Sequence, residues 1–397
     1  MNARILPALL IGLIASACTA QQDGNALTDN APSNGARAGR VALNERLNDD
    51  ITNSRRTGIT RAVEIASPAI VGINVTEIRS YTDPLDDMFN DPFFERYFGR
   101  RHPRTYRQEV RGLGSGFLIS ADGYIITNDH VAGRASKIVV TTMGGRQYEA
   151  KIIGSDPTTD VALLKIDGEK LPYLKLGRSN DVMVGEWVIA LGNPFGLFDI
   201  NSKPTVTVGV VSNTDVDLSP QDNRVYRGMI QTDAAISSGN SGGPLLNALG
   251  EVIGMNTVIY STAQGSAGAG SIGIGFAVPV DRVKTVTDEL RKAGGIDRDF
   301  WTGMQVQQLD ARLARYLGLT NDSGVVVVEI IQNSPAHKAG LQPGDVITSI
   351  NGEPIRNDDD AFMAIAESRV GATLALTITR NGASRDLSLT LERRPRR

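Results

Sequence analysis

Short stretches of alternating apolar and polar residues, separated by turn residues, cover the middle of the chain. They predict roughly ten to twelve strands in about 200 residues, with no helical pattern between them. The predicted strands are Ala69–Val75, Gly114–Ser120, Tyr124–Thr127, Lys137–Thr142, Tyr148–Gly154, Val161–Ile166, Trp187–Gly192, Thr205–Ser212, Met229–Thr232, Val252–Val258 and Ile272–Val278. Closely spaced strands with turn signals favour a sandwich or barrel over a parallel sheet, and we expect a pair of antiparallel barrels.

The pattern becomes helical at Pro279–Ala293, where apolar residues follow one stripe until Gly294 and Gly295 end it. This helix marks the boundary to a second domain, residues 297–393. That domain alternates strands with helical segments near residues 309–317 and 358–368. Its predicted strands are Gly324–Ile331, Asp345–Ile350, Thr373–Arg380 and Ser384–Leu391.

The first residues have the pattern of an export signal. Arg4 supplies a positive charge, Ile5–Ala15 is apolar, and small residues precede Cys18. We therefore expect a signal peptide over residues 1–17. Residues 18–57 are rich in polar residues with little periodic apolar content, which predicts a flexible tether.

Cys18 is the only cysteine, so no intramolecular disulfide can form. Its position resembles the cleavage site of bacterial lipoproteins, in which the cysteine becomes the lipidated first residue. The pattern departs at Ala15, where a leucine is usual. Cys18 is thus a candidate for lipidation, and simple signal cleavage is the alternative.

The charge balance excludes one class of partner. The net charge is −3 with acidic and basic residues mixed, so no nucleic-acid footprint is visible. Residues 80–109 interrupt the strand pattern with a cluster of aromatic residues and a basic stretch that contains His102. A loop of this length in a compact domain is either functional or disordered.

The run Gly239-Asn240-Ser241-Gly242-Gly243 is the strongest candidate for chemistry. A serine nucleophile needs a base, a group that orients the base, and amides that stabilise the oxyanion. Glycines allow a sharp backbone turn that would aim the amides of Gly239 and Ser241 at one point. The alternative is an ordinary Gly/Ser turn.

The chain has three histidines, His102, His130 and His337, and His130 lies just beyond a predicted buried strand, where strand ends meet a cleft. Asp160 precedes another buried strand, where a buried carboxylate needs a partner such as an imidazole N–H. Asp156 is the alternative acid, in an Asp-Pro turn. The order His130, Asp160, Ser241 in one β-rich domain predicts a catalytic triad.

These motifs, with several others, resemble the HtrA (Deg) family of serine proteases over about residues 59–393. The further motifs are Gly112–Phe117, Leu191–Gly196 and Gln231–Ile236. The resemblance implies a mainly β fold, with a trypsin-like pair of six-stranded barrels over residues 58–296 and the site between them. It implies no metal and no cofactor. In this fold Ala235 and Ile236 line the primary specificity pocket, so we expect cleavage after small or medium aliphatic residues.

The second domain resembles a PDZ domain, an α+β fold, chiefly through Ser334–Ile347, which also gives His337 a structural place. The peptide-carboxylate loop is then Trp301-Thr302-Gly303-Met304, although Thr302 replaces an apolar residue. PDZ domains bind C-terminal carboxylates through backbone amides and add the peptide as a strand.

The resemblance implies a serine endopeptidase of the bacterial cell envelope that cleaves misfolded or unfolded proteins in a stress response. It also implies a periplasmic location, with anchoring to the membrane if Cys18 is lipidated, and a homotrimer or higher oligomer. Two alternatives stay open: a regulatory protease that cuts one signalling substrate, and a peptide-binding chaperone. C-terminal peptides at the PDZ domain are the second expected partner.

Overall fold

A computed structural model of the chain describes residue 46 and residues 48–82, 105–193, 203–237, 239–257, 273–319 and 322–395. Contacts divide the chain into two units, Met1–Arg55 and Arg56–Arg397, and every element named here belongs to the second. Across the described ranges, no helix has both the length and the apolar character needed to cross a membrane. Cys18 and His102 lie outside the described residues.

Six antiparallel strands close the first barrel in the order β1-β2-β3-β6-β5-β4. The strands are β1 (Ile70–Thr82), β2 (Thr105–Leu118), β3 (Tyr124–Thr127), β4 (Lys137–Thr142), β5 (Gln147–Asp156) and β6 (Val161–Ile166). Large side chains such as Ile73, Phe117 and Leu164 are fully buried and fill the interior. Both β1 and β2 extend into residues 80–109, where the sequence predicted an interruption, and they pair as far as Thr82 with Thr105. Within that interval, residues 83–104 lie outside the described chain.

The second barrel is also closed, in the order β10-β11-β12-β9-β8-β7. Its strands are β7 (Trp187–Gly192), β8 (Thr205–Gln221), β9 (Arg224–Thr232), β10 (Pro244–Leu246), β11 (Val252–Thr257) and β12 (Gly275–Pro279). The prediction of a mainly β, two-barrel fold is confirmed.

The β8–β9 hairpin is longer than predicted. The prediction ended β8 at residue 212 and began β9 at residue 229, yet the strands run to Gln221 and from Arg224. Repeated register shifts between the strands break the two-residue alternation on which the prediction depended. Asp222 and Asn223 form the turn with positive φ angles of 50° and 62°, a conformation these residue types tolerate.

Two helices outside the C-terminal domain have typical capping residues at their ends. Thr57 caps α1 (Gly58–Ala66) by accepting from the amide of Thr60. A single turn, α2 (Asp129–Ala132), follows β3. The predicted amphipathic helix is α3 (Val280–Ala293), which buries one stripe and ends at Gly294 in the left-handed conformation.

In the described part of the C-terminal domain, the chain forms two sheets and three helices. The first sheet pairs β13 (Phe300–Trp301) with β20 (Glu392–Arg393). The second contains, in spatial order, β14 (Met304–Gln308), β15 (Val325–Ile330), β16 (Val346–Ile350), β18 (Thr373–Arg380) and β19 (Ala383–Thr390). A short strand, β17 (Glu353–Pro354), pairs with β16. The helices are α4 (Ala311–Tyr316), α5 (Pro335–Lys338) and α6 (Asp358–Ala366). Strand β14 was not predicted, because its residues are mostly polar and exposed.

The C-terminal domain packs against the second barrel where α6 meets β9. Val225 forms a small buried cluster with Met363 and Ala366. Arg282 of α3 donates to the carbonyl of Val225 (3.1 Å) and also pairs with Glu367. These contacts hold one side of the β8–β9 hairpin against the C-terminal domain.

Candidate active site

His130 lies where the first barrel opens. Strand β3 ends at Thr127, whose hydroxyl donates to the carbonyl of Ser115 (2.7 Å), and the one-turn helix α2 carries His130. Asn128 Nδ2 donates to the carbonyl of Asp160 (2.9 Å), which ties this turn to the residue that precedes β6. The His130 side chain is 32% exposed, so its ring faces solvent.

Asp160 is completely buried and accepts hydrogen bonds from three groups. The amide of His130 donates to Oδ1 at 3.0 Å, His130 Nδ1 lies 2.8 Å from Oδ2, and the Thr257 hydroxyl donates to Oδ2 at 3.2 Å. Asp160 has a φ of 59°, in the left-handed region that Asp tolerates better than most residues. The carboxylate thus favours the tautomer with the proton on Nδ1, which leaves Nε2 as the proton acceptor.

The loop that carries Ser241 is tied to both barrels. The amide of Ser115 donates to the Ser241 carbonyl (3.0 Å), and the amide of Gly242 donates to the Asn256 carbonyl (2.9 Å). Gly242 has a φ of 83°, and a Cβ there would lie 2.3 Å from the Ser115 carbonyl oxygen and from Thr127 Oγ1. Glycine is therefore required at this position by both its conformation and its space.

One cavity of about 530 Å³ brings the predicted residues together. His130, Ser241 and Gly239 line it, with Asp160 buried behind His130. Neither the amide of Gly239 nor that of Ser241 is engaged by a protein acceptor within the described part of the chain.

Asp156, the alternative acid, is engaged elsewhere. Its carboxylate accepts from Arg298 Nε (3.0 Å) and Nη2 (2.8 Å) and from the Thr159 hydroxyl (2.7 Å). Of the two candidate acids, the structure brings Asp160 to His130.

Two charged residues at this site, Asp129 and Arg224, were not predicted from the sequence. Asp129 is buried next to His130, and Arg224 lines the same cavity from the start of β9. Arg224 Nη2 lies 3.4 Å from Asp129 Oδ2, and Arg224 Nε lies 3.3 Å from Asp160 Oδ1. Asp129 could have been predicted from the sequence, because it directly precedes His130. Arg224 lies far from His130 along the chain, and no local sequence pattern indicates that it reaches the site.

The predicted specificity residues lie in the segment that precedes the Ser241 loop. Ala235 is exposed and its carbonyl accepts from the Thr207 hydroxyl (2.9 Å). Ile236 is buried in the apolar cluster of the second barrel. Neither lines the cavity that contains His130 and Ser241.

The predicted carboxylate loop, Trp301 to Met304, lines a second cavity of about 800 Å³ in the C-terminal domain. Gly303 has a φ of 71° and its carbonyl accepts from the amide of Ile331 (2.8 Å). Apolar walls come from Ile331 and Ile365, and Glu329 adds a carboxylate. His337 lies in α5, where its amide donates to the Ser334 hydroxyl (3.2 Å), and it is not among the residues that line this cavity.

Two family models match the chain. Residues 114–255 match the trypsin-like peptidase domain, and residues 302–391 match the PDZ domain. A probable periplasmic serine endoprotease, DegP-like, of Pseudomonas fluorescens is 43% identical over 344 residues, which are 84% of this chain and 69% of the relative. A protein of the same name from Pseudomonas putida is 41% identical over 85% of this chain and 70% of its own length.

This chain is an HtrA-family serine protease. Among solved structures, the HtrA-type protease AlgW with a decapeptide matches at a TM-score of 0.64 and 38% identity, over 85% of this chain and 98% of that one. The serine endoprotease from Yersinia pestis matches at a TM-score of 0.56 and 30% identity, over 85% and 98%.

Proposed function

We propose that this HtrA protease hydrolyses peptide bonds with His130, Asp160 and Ser241 as its catalytic triad. His130 Nε2 removes the proton from Ser241 Oγ as the oxygen attacks the scissile carbonyl, and then gives that proton to the leaving amine as the C–N bond breaks. Asp160 keeps the imidazole in the productive tautomer. The observation that carries the proposal is the 2.8 Å contact between His130 Nδ1 and Asp160 in the cavity that Ser241 lines.

The amides of Gly239 and Ser241 form the proposed oxyanion hole. The negative oxygen of the tetrahedral intermediate would accept from both amides, which have no protein acceptor among the described residues. On the family resemblance, and although they do not line the described cavity, Ala235 and Ile236 are proposed to form the base of the specificity pocket, which would accept small or medium aliphatic side chains before the cleaved bond. Cleavage-site mapping that returned mainly Lys or Arg at that position would contradict this assignment.

The proposed substrates are misfolded or unfolded proteins of the bacterial envelope, in protein quality control and the stress response. The relatives named periplasmic serine endoproteases support a periplasmic location. The proposed domains are residues 1–17 as signal peptide, 18–57 as tether, 58–296 as protease and 297–393 as PDZ domain. Labelled palmitate incorporation that is lost in Cys18→Ser would support lipid anchoring, and no label on the unchanged chain would exclude it.

The PDZ domain is proposed to bind C-terminal peptides at Trp301, Thr302, Gly303 and Met304. Backbone amides of this loop would donate hydrogen bonds to the terminal carboxylate, and the cavity beside it has apolar walls for the last side chain. Homotrimers or higher oligomers are proposed from the family alone.

Degradation of unfolded β-casein tests the function. The unchanged protein should degrade casein, and Ser241→Ala should retain only the residual rate, roughly 10³–10⁴ over water, that binding and the oxyanion hole supply without the triad. Trapping with Ser241→Ala in cells then separates broad quality control, with many captured proteins, from a regulatory cut in one substrate. Wild-type casein hydrolysis by Ser241→Ala would contradict the triad.

A further inference from the structure

A network of three charged side chains extends from the imidazole of His130 into the protein. Asp160 contacts the ring directly, Asp129 precedes it in α2, and Arg224 reaches both carboxylates from β9. Asp129 is only 5% exposed, and the Arg224 side chain is 16% exposed. Charges this poorly solvated interact strongly with their neighbours.

We propose that Arg224 and Asp129 are a compensating pair of positioning residues that sets the pH range in which His130 acts as a base. The proposal rests on the roles proposed above for His130, Asp160 and Ser241. Neither residue needs to contact the substrate.

Asp129 creates the need for compensation. A second buried carboxylate beside His130 favours the protonated imidazole, which cannot accept the Ser241 proton. The hydroxyl of Ser155 donates to Asp129 Oδ1, but a neutral donor does not remove the charge. Arg224 supplies the opposing positive charge at 3.4 Å from Asp129 Oδ2.

Arg224 remains charged in this site. Burial alone would lower the pKa of Arg224, but interactions with Asp160, Tyr226 and Asp129 raise it above the ordinary value. Its Nε lies 3.3 Å from Asp160 Oδ1, yet forms no hydrogen bond with any described residue. The interaction with Asp160 is therefore one of charge, and the carboxylate keeps its hydrogen bonds with His130 and Thr257.

The hairpin holds Arg224 in place. The amide of the next residue, Val225, donates to the carbonyl of Thr158 (2.8 Å), two residues before Asp160. On its other side Val225 packs on Met363 and Ala366 of the PDZ domain. A backbone fixed on both sides keeps the guanidinium close to the two carboxylates.

The other charged and titratable groups facing His130 are weaker candidates. Glu77 and Arg134 line the cavity wall, and Arg134 is exposed to solvent, which screens its charge. Asp222 lies 3.9 Å from Arg224 Nη1 but is 90% exposed. Burial raises the pKa of Tyr226, with a further contribution from Asp160, so its phenol is neutral at working pH.

The sign of each charge determines the direction in which the acid limb of the kcat/KM profile should shift when that charge is removed. Removing Arg224 stabilises the protonated imidazole, so the acid limb of the kcat/KM profile should move to higher pH. Removing the charge of Asp129 should move the limb to lower pH. For charges a few ångströms away in a partly solvated site, we expect shifts of about half to one pH unit.

The test measures kcat/KM against pH for a fluorogenic peptide with the full chain. The variants are Arg224→Gln, Asp129→Asn, their double variant and Arg224→Lys. Arg227→Gln is the matched control, because Arg227 is an arginine of the same strand that pairs with Glu353 of the PDZ domain. Arg224→Lys keeps the charge and shows whether any loss comes from packing.

The proposal expects opposite shifts in the two single variants and a double variant within a few tenths of a pH unit of the unchanged protein. Arg224→Lys and Arg227→Gln should leave the limb in place. An unmoved limb in Arg224→Gln, shifts in the same direction in both single variants, or an equal shift in Arg227→Gln would overturn it. Ser241→Ala separates the two proposals. Activity in Ser241→Ala would contradict the triad itself. If Ser241→Ala is inactive but the acid limb does not move in the Arg224 and Asp129 variants, only the role of Arg224 and Asp129 is contradicted.

Discussion

At the scale of single residues, the site depends on a few positions whose conformation only certain residue types adopt. Asp160 and Gly242 both have positive φ angles, of 59° and 83°. Asp160 gains from this conformation because its carboxylate reaches both the amide and the ring of His130. Gly242 allows the Ser241 loop to lie directly against β2 and β3.

Gly242→Ala should disrupt this loop. The new methyl group would lie 2.3 Å from the Ser115 carbonyl oxygen, in a backbone conformation that alanine disfavours. We expect at least a tenfold fall in kcat/KM, because small misplacements of reacting groups are costly. Peptide hydrolysis and the melting temperature are the measurements.

Gly144→Ala is the matched control for this prediction. Gly144 also has a positive φ, of 94°, but no heavy atom lies within 4 Å of the position a Cβ would take. It should lose some stability and keep its activity. Equal losses of activity in the two variants would show that backbone strain alone, and not contact with the catalytic loop, is responsible.

At the scale of elements, helix α3 begins with a carboxylate that is bound on several sides. Asp281 accepts from the amide (2.8 Å) and hydroxyl (2.9 Å) of Ser179 and pairs with Lys284. Partial burial alone would raise the pKa of Asp281, but these donors lower it from 3.8 to about 2. The charge is also favourable at a helix N-terminus.

A lowered pKa in the folded state means that ionised Asp281 stabilises the fold. This stabilisation is complete above about pH 4 and is lost as the pH falls through about 2. Asp281→Asn should therefore lower the free energy of unfolding at neutral pH by about 1 kcal/mol, discounted because the carboxylate is partly exposed. Urea unfolding at several pH values should show the difference disappearing toward pH 2.

Asp288→Asn, an exposed carboxylate on the same helix, serves as its control and should change stability little at any pH. A deficit in Asp281→Asn that stayed constant down to pH 2 would mean that the loss comes from geometry and not from charge.

Sequence patterns predicted elements best where burial is regular. Strand β6 (Val161–Ile166) is buried almost throughout, and its predicted and observed bounds agree. The ends of β8 and β9 were missed because bulges disturb the alternation. Short edge elements such as β14 carry no apolar pattern, since their backbone pairing and not their side chains defines them.

The candidate site was predictable only where its residues stand in local sequence motifs. His130, Asp160 and Ser241 stand in local motifs whose spacing and glycines are visible in the sequence. Arg224 came to the site through the fold of a long hairpin, and its contacts with Asp129 and Asp160 join residues far apart in the chain. No local pattern encodes such a contact.

At the scale of the whole molecule, a buried ion pair connects the first barrel to the PDZ domain. Arg298 binds Asp156 through two nitrogens, and it also donates to the carbonyl of Glu367 just after α6. The Asp156 side chain is 1% exposed and that of Arg298 is 13% exposed. This arginine therefore joins the end of β5 to the PDZ domain.

Arg298→Met should destabilise the protein by about 3 kcal/mol, because it leaves the Asp156 carboxylate buried without a cation. Urea unfolding followed by tryptophan fluorescence can detect the loss, since Trp187 is in the second barrel and Trp301 in the PDZ domain. Arg369→Met removes the exposed pair with Glu289 and should cost less than about 1 kcal/mol. Similar losses in both variants would contradict a special role for the buried pair.

Labelling with a fluorophosphonate tests the central assignment most directly, because this reagent forms a bond with a serine only when a base activates it. Mass spectrometry of the full-length protein should find one adduct, on Ser241, and His130→Ala should slow its formation by roughly 10³-fold or more. Ser136→Ala, which removes an exposed serine hydroxyl, should label as the unchanged protein does. An adduct on a different serine, or undiminished labelling of Ser241 in His130→Ala, would contradict the assignment of Ser241 and His130 as nucleophile and base.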